Sequence, residues 1–268
     1  MDFQFKETYT MDDLLKIMEI LRSPEGCPWD REQTHKSIRN NFIEETYEAV
    51  EAIDTDDTEL LKEELGDVLL QVVFHAQLEK DKNSFVFADV VDGIVKKLIV
   101  RHPHVFSDTA VSNSDEVLVN WDAIKKKTKN QTTQSEVLQS VSKALPALMR
   151  SAKVQKKAAK VGFDWPDVSG ALDKVAEETN ELKEAIASGS EKNRMEELGD
   201  LLFSVVNVSR FLNVEPEEAL NNSCEKFIER FQKMEQLAQE QGEDMARMPL
   251  EQLDSLWNEA KKMNHSQL

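Results

Sequence analysis

Two acidic motifs occur twice in this chain at one fixed spacing. Glu44-Glu45-Thr46-Tyr47-Glu48 is matched by Glu177-Glu178-Thr179-Asn180-Glu181, and Glu63-Glu64-Leu65-Gly66-Asp67-Val68-Leu69 by Glu196-Glu197-Leu198-Gly199-Asp200-Leu201-Leu202. The differences 178 − 45 and 197 − 64 both equal 133 residues. A repeat of this length obliges the chain to build one supersecondary unit twice. Downstream, Lys97 and Arg101 align with Lys226 and Arg230, and Trp121-Asp122 with Trp257-Asn258; upstream, Trp29 pairs with Trp165.

The repeated unit reads as helical throughout. Thr10 with Asp13 three residues on makes a capping box for a helix to about Leu21. Helices are expected over about 38–53, 58–80, 88–101 and 115–129. Asp54-Thr55-Asp56-Asp57 is a stop and a new cap, and Ser23-Pro24-Glu25-Gly26-Cys27-Pro28 a turn. Asn130 to Ser135 is polar without apolar periodicity and reads as a linker, about 130–136, between domains 1–130 and 131–268. Helices then follow over about 137–160, 168–187 and 191–212, one opens at Pro216, where a first-turn proline is tolerated, and the last covers about 250–263. No segment alternates as a strand for long, so the class is all-α.

Glu45 and Glu48 are three apart and share a helix face, as do Glu64 and Asp67. Small Ala49 and Ala52 lie on the first of these faces, and a long apolar run follows each aspartate. If the two helices pack antiparallel, four carboxylates converge. At ~4 Å and an effective dielectric near 20, each like-charge pair costs about 4 kcal/mol. The acids must then take up protons or a cation, and an all-carboxylate set suits Mg²⁺, with Mn²⁺ as a substitute, over zinc. A single ExxE is ordinarily a solvated face; the fixed repeat of the whole ExxE–ExxD set argues against that reading. Gly66 and Gly199 stand beside the acids although glycine costs a helix about 1 kcal/mol, which predicts close approach of a neighbouring helix.

Lys226 and Arg230 share a helix face, as Lys97 and Arg101 do. Such pairs alone form surface ion pairs of little worth, but beside a metal–acid cluster they are partners for phosphate oxygens. Trp257 can stack on a base or simply pack in a core. Cys27 and Cys224, without a CxxC, read as packing residues rather than a disulfide framework or zinc ribbon. His102-Pro103-His104 reads as a turn or cap.

Composition narrows the partners. The net charge of −18 argues against nucleic acid, whose phosphates demand a positive footprint. The start lacks a secretory pattern and no apolar run of about 18 residues occurs, so a cytoplasmic protein without membrane attachment is expected. No P-loop is present, so phosphate is not cradled by a glycine-rich turn.

Taken together, Gly26-Cys27-Pro28-Trp29-Asp30, Gln33-Thr34, the two acid sets, Arg101-His102-Pro103-His104-Val105-Phe106, Asn207, Arg210, Lys226-Phe227-Ile228-Glu229-Arg230-Phe231 and Trp257 resemble the MazG nucleoside triphosphate pyrophosphohydrolases, over nearly the whole chain. The resemblance implies two tandem MazG-like bundles with a four-helix core each, dimerisation, and Mg²⁺-dependent cleavage of NTP or dNTP to monophosphate and pyrophosphate. It implies that Glu178, Glu181, Glu197 and Asp200 are the catalytic metal-holding acids. Glu45, Glu48, Glu64 and Asp67 would be a second metal set. Lys226 and Arg230 would meet the polyphosphate, and Asn207 and Arg210 would line the same pocket, with Trp257 and, more weakly, Lys97 and Arg101 as further nucleotide contacts. A metal polarises a phosphoryl oxygen and activates water, and a glutamate not used as ligand accepts the proton. Which glutamate does so stays open.

Two other classes compete. A di-iron bundle wants a Glu-x-x-His on two facing helices; the first half offers only Glu32 with His35 and the second none. A helical scaffold made soluble by its acids does not need the same acid spacing twice. Between the copies, the second is expected to carry most turnover. Asn207 and Arg210, which can hold a polyphosphate, stand where the first has Phe74 and Gln77, and a phenyl ring donates no hydrogen bond.

Overall fold

The computed structural model describes residues 3–107 and 113–265. Among them all regular structure is helical, in two compact units, Met1–Lys125 and Lys126–Leu268. No helix is long and apolar enough to cross a membrane.

In the first unit the helices are α1 (Met11–Leu21), α2 (Pro28–Glu32), α3 (Arg39–Asp54), α4 (Thr58–Asp81), α5 (Phe87–Arg101) and α6 (Pro103–Phe106), with α7 (Ser114–Thr128) running across the boundary. The boundaries follow from caps. The Asp13 carboxylate accepts from the Thr10 N–H at 2.9 Å and starts α1. Asp57, with its carboxylate on the N–H groups of Glu59 and Leu60, starts α4. His102 ends α5 and opens α6, its Nδ1 2.7 Å from the Leu98 carbonyl, which is the turn role expected of His102-Pro103-His104. Helix α4 is the centre: α1, α3 and α5 each pack on it. Its apolar run buries Val73, Phe74 and Leu78 against Met18 and Ile38. Gly26 is obligatory in the α1–α2 turn, because a Cβ there would lie 2.2 Å from the Ile20 carbonyl oxygen.

A polar latch closes this core. The His35 and His75 rings are parallel within 1°, their centroids are 5.0 Å apart, and the two Nδ1 atoms are separated by 2.7 Å. These numbers describe an in-plane N–H···N bond, so one Nδ1 carries the proton and the other accepts. His35 Nε2 meets Glu79 Oε1 at 2.6 Å. The loop before α3 is thereby tied to α4. Both His35 nitrogens are occupied away from Glu32, so the Glu32–His35 pair forms no metal motif.

The second unit contains α8 (Gln134–Gln139), α9 (Ala147–Ala159), α10 (Val168–Ser188), α11 (Glu191–Phe211), α12 (Pro216–Glu240), a 3₁₀ turn at Met245–Arg247 and α13 (Leu250–His265). Helix α11 packs on α9, α10 and α12, and α13 lies on α12. Two expectations change. The single helix over 137–160 is two helices, because Pro146 cannot continue a helix and opens α9 instead. The stretch read as a linker over 130–136 contains the start of α8, where the Thr133 hydroxyl accepts from Glu136 N–H and the Glu136 carboxylate accepts from Thr133 N–H. That Thr-x-x-Glu box is a helix signal that periodicity alone passes over. The apolar run after Asp200 is also less buried than expected: Val206 is enclosed, but Leu202, Phe203 and Val205 remain about half exposed.

The latch makes the first unit acid-sensitive. Burial and the neighbouring His35 hold His75 below the usual histidine range, and Lys82 and His35 hold Glu79 at about 2. The unfolded chain takes a proton on histidine near 6.5 that folded His75 resists, so its contribution is full above pH 6.5 and falls as the pH drops below it. The Glu79 contribution is full above 4.5 and is lost as the pH falls towards 2. The melting temperature of the first transition should therefore fall between pH 7.5 and 5.5, and His75→Asn should flatten that slope. An unchanged slope in the variant would contradict the assignment.

Candidate metal and nucleotide site

Each unit presents its ExxE on one helix and its ExxD on the next, across a short turn: α3 then α4, and α10 then α11. The Asp57 cap restarts the chain in the first unit, and the Ser190 hydroxyl accepting from Asn193 N–H does so in the second. The helices return antiparallel, and Ala49 and Ala52 let α3 approach closely, being 7% and 1% exposed.

In the first unit, oxygens of Glu45, Glu48 and Glu64 lie within 4.8 Å of one another. In the second, Glu178, Glu197 and Asp200 do so. Each copy thus gathers three of its four predicted acids at this distance. Asp67 and Glu181 stand outside this set, close enough for Asp67 to act on Glu45 and Glu64, and for the charge of Glu178 to act on Glu181. Desolvation, then the charges of Asp67 and Glu48, raise the Glu45 pKa above the usual carboxylate range. Desolvation, then Glu48 and Asp67, do the same to Glu64, and desolvation with Glu178 raises Glu181. The repulsion expected from spacing is therefore present in both copies.

The copies differ in how they offset it. Lys174, one turn before Glu178, places Nζ 2.6 Å from Glu178 Oε1 and 2.9 Å from Glu177 Oε1. The paired carboxylates hold this lysine above its ordinary range. Its counterpart in the first copy is Asn41, which carries no charge. The other Glu178 oxygen, Oε2, is buried with no hydrogen-bond partner. An ionised oxygen left so is costly, and a hard cation satisfies it. The donor set and this orphaned oxygen fit Mg²⁺ or Mn²⁺.

The predicted phosphate and base residues fall as follows. Arg230 Cζ is 5.9 Å from the Trp257 ring centroid, and Phe227 lies 4.9 Å from the same ring. Trp257 is partly buried beside Leu256 and Met234, so it packs in the core and still offers part of its surface. Arg230 Nε is buried with no acceptor, and Lys226 is exposed. In the first unit, Arg101 Cζ and Lys125 Nζ each lie 5.5 Å from the Trp121 centroid, with the His102 ring edge-on at 4.7 Å. Lys97 is exposed on α5. Arg210 does not stand free for a polyphosphate: it forms an ion pair with Asp164 and bonds to Asn207. Cys224 is exposed rather than packed, while Cys27 is partly buried at the start of α2.

The glycines also need correction. A Cβ on Gly66 or Gly199 would meet nothing within 4 Å, so among the described residues no neighbouring helix approaches there. Sequence reasoning also passed over Lys174, Asp164 and Arg22. Only Lys174 left a signal, its i,i+4 spacing to Glu178.

Comparison with known proteins decides the family. The MazG nucleotide pyrophosphohydrolase domain matches residues 33–106 and 168–254, one segment on each acid set. The chain belongs to the MazG nucleotide pyrophosphohydrolase family. It is 47% identical over 250 residues to the nucleoside triphosphate pyrophosphohydrolase/pyrophosphatase MazG of Thermotoga maritima, covering 93% of this chain and 95% of that protein. Its identity to the nucleoside triphosphate pyrophosphohydrolase of Escherichia coli K12 is 44% over 255 residues, 94% and 97% of the two chains. The uncharacterised protein YabN of Bacillus subtilis is 52% identical over 247 residues, which are 92% of this chain and half of that protein.

Within this MazG site, Lys174 offsets part of the negative charge that the acids gather. Its removal leaves the buried Glu178 without a partner. Breaking a buried pair costs up to about 3–5 kcal/mol; with Lys174 more than a third exposed, about 1–2 kcal/mol is expected. Lys174→Met should lower the metal-free melting temperature and enlarge the rise caused by Mn²⁺. An unchanged metal-free melt would show that the ion pair carries no weight.

Proposed function

We propose that the chain hydrolyses nucleoside triphosphates, ribo or deoxy, to the monophosphate and pyrophosphate with Mg²⁺, that its second copy carries most of the turnover, and that it works as a homodimer in housekeeping of the nucleotide pool. The observation that carries this reading is a pair of opposite orphans in one unit, the buried Glu178 Oε2 and the buried Arg230 Nε. One lacks a cation and the other an anion, and a metal–polyphosphate supplies both. The names of the Thermotoga and Escherichia relatives support the same chemistry.

Glu178, Glu197 and Asp200 would hold the ion. Bound there, Mg²⁺ lowers the charge on the phosphates and polarises the phosphoryl group under attack. Glu181, the acid outside the close triad, is the carboxylate available to accept a proton from the attacking water. Arg230 and Lys226 offer fork-shaped and point positive charge to phosphate oxygens. The partly exposed Trp257 face offers a surface for a base. In the first copy Glu45, Glu48, Glu64 and Asp67 would hold a second ion, with Lys97 and Arg101 as its basic residues. Phe74 in place of Asn207 removes a donor that would hold the nucleotide there, so the first copy binds it more weakly and takes the smaller share of the turnover.

A second copy of the chain explains two features at once. Val90, Val91, Ile94, Val95, Leu98 and Ile99 make an exposed apolar face on α5, and contiguous exposed apolar residues mark interaction surfaces. Gly66 and Gly199, open within the chain and flanked by exposed Leu65 and Leu198, find their reason if another copy lies against them.

Three outcomes follow. Pyrophosphate, and no orthophosphate, should appear with each monophosphate formed, and only with a divalent ion present. Glu197→Ala should cost roughly 10²-fold or more in turnover over a panel of canonical, oxidised and deaminated triphosphates, while Glu64→Ala keeps most of it; equal losses, or the reverse, would sink the division of labour. Light scattering at micromolar concentration should give at least twice the chain mass, and a monomer would count against the assembly.

A further inference from the structure

Arg210 is bound on two sides within the second unit. Its Nη1 donates to Asp164 Oδ2 at 2.9 Å and its Nη2 to Asp164 Oδ1. Its Nε and Nη2 also donate to Asn207 Oδ1, at 3.1 and 2.8 Å. The Asn207 oxygen is thereby spent on the guanidinium, while its NH₂ donates to nothing among the described residues. An asparagine amide turns over easily unless a network fixes it, and two N–H···O bonds to one oxygen fix this one.

The first unit supplies an internal comparison. There an arginine also ties the chain ahead of the ExxE helix, at α2, to the second acid helix, but it comes from elsewhere in the chain. Arg22, at the end of α1, pairs with Asp81 through Nε at 2.7 Å and donates to the Asp30 carbonyl. Gln77, at the position of Arg210, donates to the same Asp81 at 2.7 Å. The Arg22 guanidinium lies 5.6 Å from the ring of Phe74, at the position of Asn207. Bracing by a guanidinium is therefore common to both units, whereas the position two turns after the acid helix's aspartate carries an asparagine held by that guanidinium in the second and Phe74 in the first.

We propose that Asp164 is a positioning residue of the second site: by anchoring Arg210, it holds Asn207 with its NH₂ as the group left to meet the nucleotide. The proposal rests on the second copy being the catalytic one. Asp164 itself is braced, since its Oδ1 accepts from Trp165 N–H at 2.9 Å and the Trp165 ring lies where a Cβ on Gly170 would touch it at 2.8 Å. Asn207 follows Asp200 by two helical turns, about 10 Å along the axis. With the phosphates at the acids, a donor at that distance meets an acceptor oxygen on the nucleoside rather than the reacting phosphoryl group. Losing it weakens binding and leaves the chemical step alone, so KM rises and kcat holds.

The test is steady-state hydrolysis of the four canonical ribonucleoside triphosphates with Mg²⁺ by the full chain, as Asp164→Asn, Asn207→Ala, the double variant and Glu197→Ala. Asp164→Asn should raise KM about tenfold with kcat within about twofold, and should add nothing to Asn207→Ala. Multiplying KM effects in the double variant, or a lowered melting temperature with unchanged KM, would overturn the proposal and leave Asp164 a brace only. Should Asp164→Asn not fold, Asn207→Asp carries the test. It keeps an acceptor for Arg210 and removes the NH₂, so KM should rise; an unchanged KM overturns the proposal. Turnover surviving in Glu197→Ala would overturn the catalytic assignment itself, and is thus distinct from a failure confined to Asp164.

Discussion

The mutual repulsion of carboxylates on two antiparallel helices is the constraint around which each unit is arranged. Packing α3 on α4, and α10 on α11, buries apolar surface only by bringing like charges within 4.8 Å of one another. Desolvation and repulsion together push Glu45, Glu64 and Glu181 upward. A fold that accepts this cost twice, at the same spacing, has a reason for it, and the buried unpartnered oxygen of Glu178 shows where a cation would return the cost. Lys174 offsets part of it from within the chain, in the second unit alone.

The two units solve one structural problem with different residues. Both tie the chain ahead of the ExxE helix to the second acid helix with an arginine, Arg210 to Asp164 in one and Arg22 to Asp30 in α2 and Asp81 in α4 in the other. The first unit fills the space beside its acid helix with Phe74 and closes it with the His35–His75–Glu79 latch, gaining a buried core there. The second keeps Asn207 and an arginine in that space and leaves Leu202, Phe203 and Val205 half exposed. Core filling in one and retained polar groups in the other set the two repeats apart at the level of side chains.

Much of this was legible in the sequence. The repeat, the caps at Thr10 and Asp57, and the i,i+3 acids fix the helices and the convergence of charge, because all are local or periodic. What escaped is long-range partner choice. Spacing along α11 places Asn207 on the face of Asp200 with Arg210 beside it, but does not reveal the capture of Arg210 by Asp164, 46 residues away. Nor does spacing tell that Arg22 would take over the brace in the first unit. Pro146 and the Thr133–Glu136 box are visible locally, and they stand against one helix over 137–160 and a linker over 130–136. Gly66 and Gly199 predict close helix approach, and the described residues supply none.

The central claim is that each acid set holds a divalent cation. Calorimetric titration of the metal-free chain with Mn²⁺ tests it most directly, because it needs neither substrate nor turnover. The account predicts binding to both sets, with Glu178→Gln abolishing one component of the heat and Glu45→Gln the other. Absence of heat, or binding indifferent to both substitutions, would contradict it.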